Sequence, residues 1–292
     1  MRFLRFLVKE LILHGILFAI LGTFVLTGLY LLSTGASVDE YGKIFLSFFK
    51  NLVGPGDYTH AGFTAGQIIA SGASYTLPLA LFSLIIIILI ALGGAAHAVA
   101  ARYLASHHDV KAPERIGKFV NIITSILAAA PLFCGFWFLV ATIGTDTPLF
   151  IIAFLTVVVG GLSWDATNFL KADMLAQIET THAITFSTLG RSLGRFFPLP
   201  GTYSGYLFSS SLPRFIPYIA GKVPAIIGSV TVAEIIFGFP GLGKELLDDL
   251  VTTRTDLLIM SVFILLCVNA VVAFLVKTIL FLIYPRWYEK SI

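Results

Sequence analysis

Residues 77–100 read LPLALFSLIIIILIALGGAAHAVA, and this stretch decides the fold class because it contains no Asp, Glu, Lys or Arg. A helix needs about 20 apolar residues to cross the hydrocarbon core of a bilayer, so the stretch is predicted to be a transmembrane helix. The rest of the chain agrees: 57% of its 292 residues are hydrophobic and 12% are charged. An average soluble domain has about 25% charged residues. The composition excludes a soluble globular protein and predicts an all-α, polytopic membrane protein.

Five further apolar stretches complete a predicted set of six transmembrane helices. They lie at 11–33, 118–146, 146–165, 215–237 and 257–284. The stretch 215–237 carries Lys222 and Glu234, so a re-entrant element is the alternative to a span there. We predict two parts of the chain: 1–76, with one span and an extracytoplasmic loop, and 77–292, with five spans and a cytoplasmic loop at about 170–213.

The distribution of basic residues predicts the orientation. Six crossings put both termini on one side, and cytoplasmic loops carry the excess of Lys and Arg. Thirteen of the 19 basic residues fall on the side of the termini: Arg2, Arg5, Lys9, Arg102, Lys111, Arg115, Lys118, Lys171, Arg191, Arg195, Arg214, Arg286 and Lys290. Lys43, Lys50, Lys244 and Arg254 fall on the other side. Both termini are therefore predicted to be cytoplasmic, in a multi-pass protein of the cell (inner) membrane.

Several chemical functions are excluded by missing motifs. The sequence has no Walker-type glycine loop, no HExxH and no CxxC, and its net charge of +3 is too small and scattered to indicate nucleic-acid binding. We expect no catalysed reaction, no cofactor and no metal site. Cys134 and Cys267 lie in apolar runs and are predicted to be buried small side chains. Gly93 and Gly94 are predicted to permit close helix packing.

The most specific segment, residues 212–250, reads LPRFIPYIAGKVPAIIGSVTVAEIIFGFPGLGKELLDDL. It resembles the inner-membrane permease subunit of binding-protein-dependent ABC importers of the dipeptide, oligopeptide and nickel type. In that family a Leu-Pro pair ends the cytoplasmic loop, a span with an outer Glu follows, and a Gly-Leu-Gly turn opens an outside loop. The residues at these places are Leu212, Pro213, Glu234, Pro240, Gly241, Leu242 and Gly243. Residues 1–13 and 66–84 resemble the family more loosely.

The resemblance implies a type I ABC importer permease fold and a set of partners. A second, similar permease would enclose a translocation pathway with this chain inside the lipid bilayer. Two cytoplasmic ATPase subunits would hydrolyse ATP, and an extracytoplasmic solute-binding protein would deliver a peptide-like or other small solute.

The coupling motif of the family is altered in this chain. The family carries Glu-Ala-Ala, three residues and then Gly in the helix that docks on the ATPase. When Gly190 is aligned with that glycine, the motif positions hold Ile184, Thr185 and Phe186. The loop from Gly190 to Leu212 is also longer than the family's spacing. The alternative function is therefore a transport-inactive permease-like scaffold or assembly subunit.

The same loop combines basic and aromatic residues. Arg191 and Arg195 are four apart and are predicted to lie on one face of a short helix, beside the apolar Phe196 and Phe197. This mixture suits either docking on an ATPase or packing at the lipid interface. With Gly190, Leu212 and Pro213, these residues form the predicted ATPase-coupling loop.

Three ionisable residues at membrane depth are pathway or gating candidates: Asp165, Lys222 and Glu234. Such residues are costly in a bilayer unless they are paired or face a wet cavity. Each has a structural alternative. Asp165 would lie at the cytoplasmic end of its span, Lys222 would extend to the cytoplasmic interface, and Glu234 would cap or brace the outside loop. For Lys222, an ion pair stands beside the pathway-lining role.

Overall fold

A computed structural model describes residues 2–34, 59–60, 63–108, 112–190, 192–194, 196–252 and 254–283. These residues form ten α-helices and one two-stranded antiparallel sheet. The elements are α1 (Arg2–Thr34), β1 (Thr59–His60), β2 (Phe63–Thr64), α2 (Ala65–His108), α3 (Ala112–Ala129), α4 (Leu132–Ile143), α5 (Leu149–Val158), α6 (Leu162–Gln177), α7 (Thr181–Ser187), α8 (Tyr203–Phe237), α9 (Leu242–Val251) and α10 (Thr255–Ile283). Helix dominates, as the composition predicts.

Four of the described helices are long and apolar enough to cross a membrane. They cover Arg5–Val25, Gly66–Ala105, Tyr203–Phe237 and Leu257–Leu282. The predicted spans at 118–146 and 146–165 each correspond to two helices, with bends of 93° between α3 and α4 and 58° between α5 and α6. The number of candidate spans is six if each bent pair is one span. These are the helices of a multi-pass membrane protein.

Local sequence explains both bends. Pro131 is the N-cap of α4 at φ −60° and ψ 131°, and a proline ends the preceding helix because it lacks an N–H and restricts the residue before it. Gly160 and Gly161 separate α5 from α6, and both have φ +83°. A Cβ on Gly161 would also lie 3.0 Å from the Ala128 Cβ, so this position requires glycine for space as well as for conformation.

The chain divides into two compact units, Met1–Pro78 with Val230–Ile292 as unit 1 and Leu79–Ser229 as unit 2. The predicted boundary after residue 76 lies inside the uninterrupted helix α2 and stays a prediction.

In unit 1, α1 packs along α10. The Phe6 and Phe281 rings are stacked with centroids 4.1 Å apart, and Lys277 Nζ lies 2.9 Å from Glu10 Oε2. A buried cluster joins the start of α2 to α9 and α10; it consists of Ile69, Leu242, Leu257, Ile259, Met260 and Phe263.

Unit 2 is built around the buried face of α2. Ala91, Ala95 and Val99 are fully buried, and a Cβ on Gly94 would lie 2.5 Å from Thr167 Cγ2 on α6. The predicted close approach of helices is therefore confirmed at Gly94. The prediction of a buried Cys134 is wrong, because this side chain is exposed on α4. In a membrane, an apolar side chain can face lipid and need not lie in a protein core.

Candidate functional site

Glu234 in unit 1 ties the end of α8 to the start of α9. Its side chain is fully buried in the last turn of α8. The Thr76 hydroxyl donates a hydrogen bond to Oε1 (2.6 Å) and the Gly243 N–H donates to Oε2 (2.7 Å). Thr76 Oγ1 accepts a hydrogen bond from the Leu242 N–H at 2.8 Å. The first two amides of α9, which have no acceptor within their own helix, thus reach a carboxylate and a hydroxyl.

A glycine, Gly238, ends α8 at the same turn. Gly238 has φ +72° and follows the last residue of α8, while the Phe239 N–H donates to the Glu234 carbonyl at 3.0 Å. This is the six-to-one hydrogen bond of a Schellman cap. Glu234 therefore ends α8 through its carbonyl and holds α9 through its carboxylate.

The predicted outside turn, residues 240–243, packs directly against the Glu234 carboxylate. A Cβ on Gly241 would overlap the Glu234 carboxylate, and one on Gly243 would lie 2.5 Å from Thr231 Cγ2. Leu242 between them is fully buried, whereas Pro240 is exposed. The Gly-Leu-Gly spacing thus has a steric reason, and the contacts of Glu234 are those of a brace for the turn between α8 and α9.

Asp165 and Lys222 lie together in unit 2. Lys222 Nζ is 3.0 Å from Asp165 Oδ2, with the lysine side chain 24% exposed and the aspartate side chain 53% exposed. Two turns along each helix, Arg214 Nη1 lies 2.9 Å from Asp173 Oδ1. Both pairs join α6 to α8, so Lys222 forms the ion pair that was one of its predicted alternatives.

An aromatic contact and a polar contact extend this series. The Phe169 and Tyr218 rings are stacked at 4.0 Å and 7°, and Gln177 Nε2 donates to Ser211 Oγ at 2.8 Å. We name the four contacts the α6–α8 ladder; its members are Asp165, Phe169, Asp173 and Gln177 on α6, and Lys222, Tyr218, Arg214 and Ser211 on α8. Sequence reasoning missed most of them, although residues 165, 169, 173 and 177 repeat every four positions and so share one helix face.

The cytoplasmic loop predicted at about 170–213 is shorter in the structure. Residues 170–177 complete α6 and α8 begins at Tyr203, so Leu212 and Pro213 lie inside α8 and do not end a loop. Pro213, Pro217 and Pro224 all lie within α8. Proline is tolerated within transmembrane helices because neighbouring groups satisfy the freed backbone atoms.

One short helix, α7, lies in this loop upstream of Gly190. Phe186, at the last position of the altered coupling motif, stacks on Tyr206 of α8 with centroids 4.2 Å apart and an angle of 6°. The His182 ring meets the edge of the same tyrosine at 5.9 Å. Gly190 has φ +66° and follows α7. Aromatic packing therefore attaches α7 to α8.

The predicted short helix carrying Arg191 and Arg195 is wrong. The two arginines lie outside the described residues, and residues 192–194 between them are not helical. The Ser192 carbonyl accepts from the Tyr203 N–H at 2.9 Å, and the Gly194 carbonyl accepts from Ser204 Oγ at 2.9 Å. Gly194 has φ +64°, and a Cβ there would overlap Ser204 Oγ. The segment instead satisfies the first amides of α8.

The aromatic residues of the predicted coupling loop lie on the surface. Phe196 is 83% exposed and Phe197 is 36% exposed. Leu199, close by in the chain, is also exposed. This cluster presents apolar surface outside the candidate spans.

Comparison with known proteins gives a partial similarity. No family model matches the chain. The oligopeptide transport system permease protein AmiC of Streptococcus pneumoniae, in strains TIGR4 and R6, is 28% identical to it over 64 residues. The match covers 22% of this chain and 13% of the length of these relatives. The chain is thus a multi-pass, apolar protein that is similar over part of its length to a transport permease.

Proposed function

We propose that this chain is a permease subunit of an ATP-driven ABC importer. It forms half of a translocation pathway for a peptide-like or other small solute, in the cell (inner) membrane with both termini cytoplasmic. The partial similarity to oligopeptide permeases supports this function. The observation that carries it is the closed turn between Glu234 and Gly243, because this turn supplies a physical reason for the spacing that resembles the permease family.

The partners are a second permease, two cytoplasmic ATPase subunits and an extracytoplasmic solute-binding protein. The loop at 178–202 is the proposed ATPase contact because four large apolar side chains there are more than half exposed: Ile184, Leu189, Phe196 and Leu199. Exposed apolar groups clustered outside the candidate spans are typical of a protein-docking surface. ATP hydrolysis belongs to the ATPases, and this chain has no catalytic role.

Two contacts within unit 2 could transmit movement of this loop to the spans. Phe186 attaches α7 to α8 at Tyr206, and the α6–α8 ladder joins α8 to α6. A displacement of α7 by an ATPase would therefore act on two helices through packed side chains. Such rigid-body coupling fits alternating access.

A transport-inactive scaffold is the second candidate function. It is favoured by the altered coupling motif, in which Phe186 packs onto Tyr206. In the scaffold, the loop would still bind partners, but solute would not cross.

The test is purification of the tagged full chain from its native membranes, followed by identification of bound ATPase and solute-binding subunits and a peptide-uptake assay in proteoliposomes. We expect ATP-dependent uptake. The variant Phe196→Asp with Leu199→Asp is expected to lose the ATPases and uptake together. The matched control is Leu250→Asp with Val251→Asp, which changes two apolar residues of α9 that are 64% and 74% exposed.

The control pair should retain the ATPases, since α9 lies on the predicted outer side. A complex that contains the ATPases but never imports solute would support the scaffold. Full uptake by the Phe196→Asp, Leu199→Asp variant would refute the docking surface.

A further inference from the structure

A cavity in unit 2 lies between α2, α3 and α6. Its volume is about 400 Å³, which is within the range of about 300–1,000 Å³ for small-molecule sites. Four of its seven lining residues on α2 are small: Gly94, Ala98, Ala101 and Ala105. They recur at three- and four-residue intervals, so they form one face of the helix. The cavity therefore results from a row of residues that cannot fill the space between the helices.

The charged lining of the cavity is entirely basic. Arg102 of α2 and Lys171 of α6 both line it, and none of its described lining residues is Asp or Glu. Neither cation has a hydrogen-bond or ion-pair partner within the described part of the chain. This contrasts with Arg214 and Lys222, which are each paired with an aspartate. Two cations at one cavity favour an anionic ligand.

Neutral polar groups accompany these cations. His97 Nε2 is buried and has no hydrogen-bond partner among the described residues. Asn168 and Ser163 of α6 also line the cavity, beside Trp164. A buried ring nitrogen without a partner is costly unless a ligand or water satisfies it. An indole is typical of the region where lipid headgroups meet the acyl chains.

We propose that this cavity binds the phosphate headgroup of an anionic phospholipid. Arg102 and Lys171 pair with the phosphate, His97 and Asn168 supply hydrogen bonds, and the row of small residues on α2 holds the glycerol and the start of an acyl chain. In the predicted orientation both cations lie toward the cytoplasmic leaflet, whose anionic lipids are bound by basic cavities between transmembrane helices. The site does not depend on transport, so it stands even if the chain is a scaffold.

The experiment uses Trp164 as a reporter in the full chain. The chain has three tryptophans, so Trp137→Phe and Trp287→Phe leave only the one in the cavity wall. The protein is titrated in mixed micelles with phosphatidylglycerol whose acyl chains are brominated, since bromine quenches nearby indole fluorescence. We expect saturable quenching by this lipid and much weaker quenching by brominated phosphatidylcholine at the same fraction.

Variants separate the site from general attraction to a charged surface. Replacing both cavity cations, Arg102→Gln with Lys171→Gln, is expected to weaken phosphatidylglycerol binding about thirtyfold, because each cation near the membrane surface contributes about 1 kcal/mol. Arg5→Gln with Lys9→Gln removes the same charge from the same predicted side and should leave the affinity unchanged. Ala98→Phe keeps both cations but fills the cavity, and it should abolish saturable quenching. Thermal melting of each variant confirms that it is folded.

Three outcomes would overturn the proposal. The first is equal quenching by phosphatidylcholine, and the second is an equal loss of affinity in the Arg5, Lys9 variant. The third is displacement of the lipid by soluble glycerol 3-phosphate at a comparable concentration, which would assign the site to a free phosphate compound.

Discussion

Glu234 occupies an unfavourable place in its own helix. It lies in the last turn of α8, where the helix dipole is negative and disfavours a carboxylate. The start of α9 offsets this because the Gly243 N–H and the positive end of that helix face the same carboxylate. The Glu234 carboxylate, which is unfavourable at the end of α8, is therefore stabilised by the start of α9. The nearest polar side-chain partner, Thr76, is 158 residues away in the chain.

Gly241→Ala tests how tightly this turn is closed. Gly241 has φ −94°, which alanine adopts freely, so only the overlap of its Cβ with the Glu234 carboxylate matters. Displacing the carboxylate leaves buried donors without an acceptor, at about 1–3 kcal/mol each. We expect the free energy of unfolding, measured by SDS titration in mixed micelles, to fall by this order. Gly228→Ala is the control, because its Cβ would meet nothing within 4 Å; a loss as large in the control would contradict the steric explanation.

Asp249 on α9 gives a prediction for pH dependence. The side chain is 1% exposed, and neither carboxylate oxygen has a hydrogen-bond partner in the described residues. The pKa of this carboxyl is raised from 3.8 to about 6, mainly by burial and then by the negative charges of Glu245 and Asp248, with Arg254 opposing them. Since the folded state binds this proton more tightly, ionised Asp249 destabilises the fold above about pH 6 and the penalty disappears below 3.8.

Asp249→Asn should therefore stabilise the protein at pH 8 but not at pH 3.5. The gain is at most about 3 kcal/mol, from about 1.4 kcal/mol for each tenfold change in proton affinity. Unfolding free energies of the variant and the original chain, measured across this pH range, check the prediction. Asp146→Asn, at an exposed aspartate, is the control and should show no such profile. A gain for Asp249→Asn that did not vary with pH would exclude ionisation as the cause.

The α6–α8 ladder carries the main prediction for an element. A double-mutant cycle with Asp165→Asn, Lys222→Gln and the combined variant measures the coupling free energy of the Asp165–Lys222 ion pair. Because Asp165 is 53% exposed, we expect a coupling of about 0.5–1 kcal/mol, as for exposed pairs and for hydrogen bonds between transmembrane helices. SDS unfolding provides the measurement. A cycle with Asp146→Asn in place of Asp165→Asn should give no coupling, and zero coupling for the Asp165 pair would mean that it contributes nothing.

The elements also show which features the sequence could predict. Apolar stretches located the long helices. The close approach of helices at Gly94 was predicted correctly because a glycine permits such an approach wherever its helix packs. Pro131 and the pair Gly160 and Gly161 mark the two bends, but apolar composition alone does not reveal that a span is broken. The ladder depends on the register between α6 and α8, and Asp165 and Lys222 are 57 residues apart. No local pattern encodes such a register, since it is set by packing.

At the scale of the whole molecule, the bent pairs decide the topology. If α3 with α4 and α5 with α6 are each one span, the segment between α4 and α5 lies outside and the chain crosses six times. If each pair turns back within the bilayer, the same segment lies on the cytoplasmic side and the chain crosses four times. In both topologies the termini are on the same side of the membrane, and one crossing, α8, separates Phe196 from Lys244. Both topologies therefore place Phe196 on the predicted cytoplasmic side and Lys244 on the predicted outer side, so the distribution of basic residues at these positions does not distinguish them.

Asp146 distinguishes the two topologies because it lies in the exposed turn between α4 and α5. In a Cys134→Ser, Cys267→Ser background, Asp146→Cys is treated in intact cells with a membrane-impermeant maleimide. The proposed six-span permease predicts labelling from outside, as for Lys244→Cys, whereas Phe196→Cys should label only after the cells are made permeable. Labelling of Asp146→Cys that follows the Phe196→Cys pattern would require both bent pairs to be re-entrant. A pathway built from six spans would then be ruled out, although the Glu234 turn and the cavity on α2, each formed within one unit, would remain.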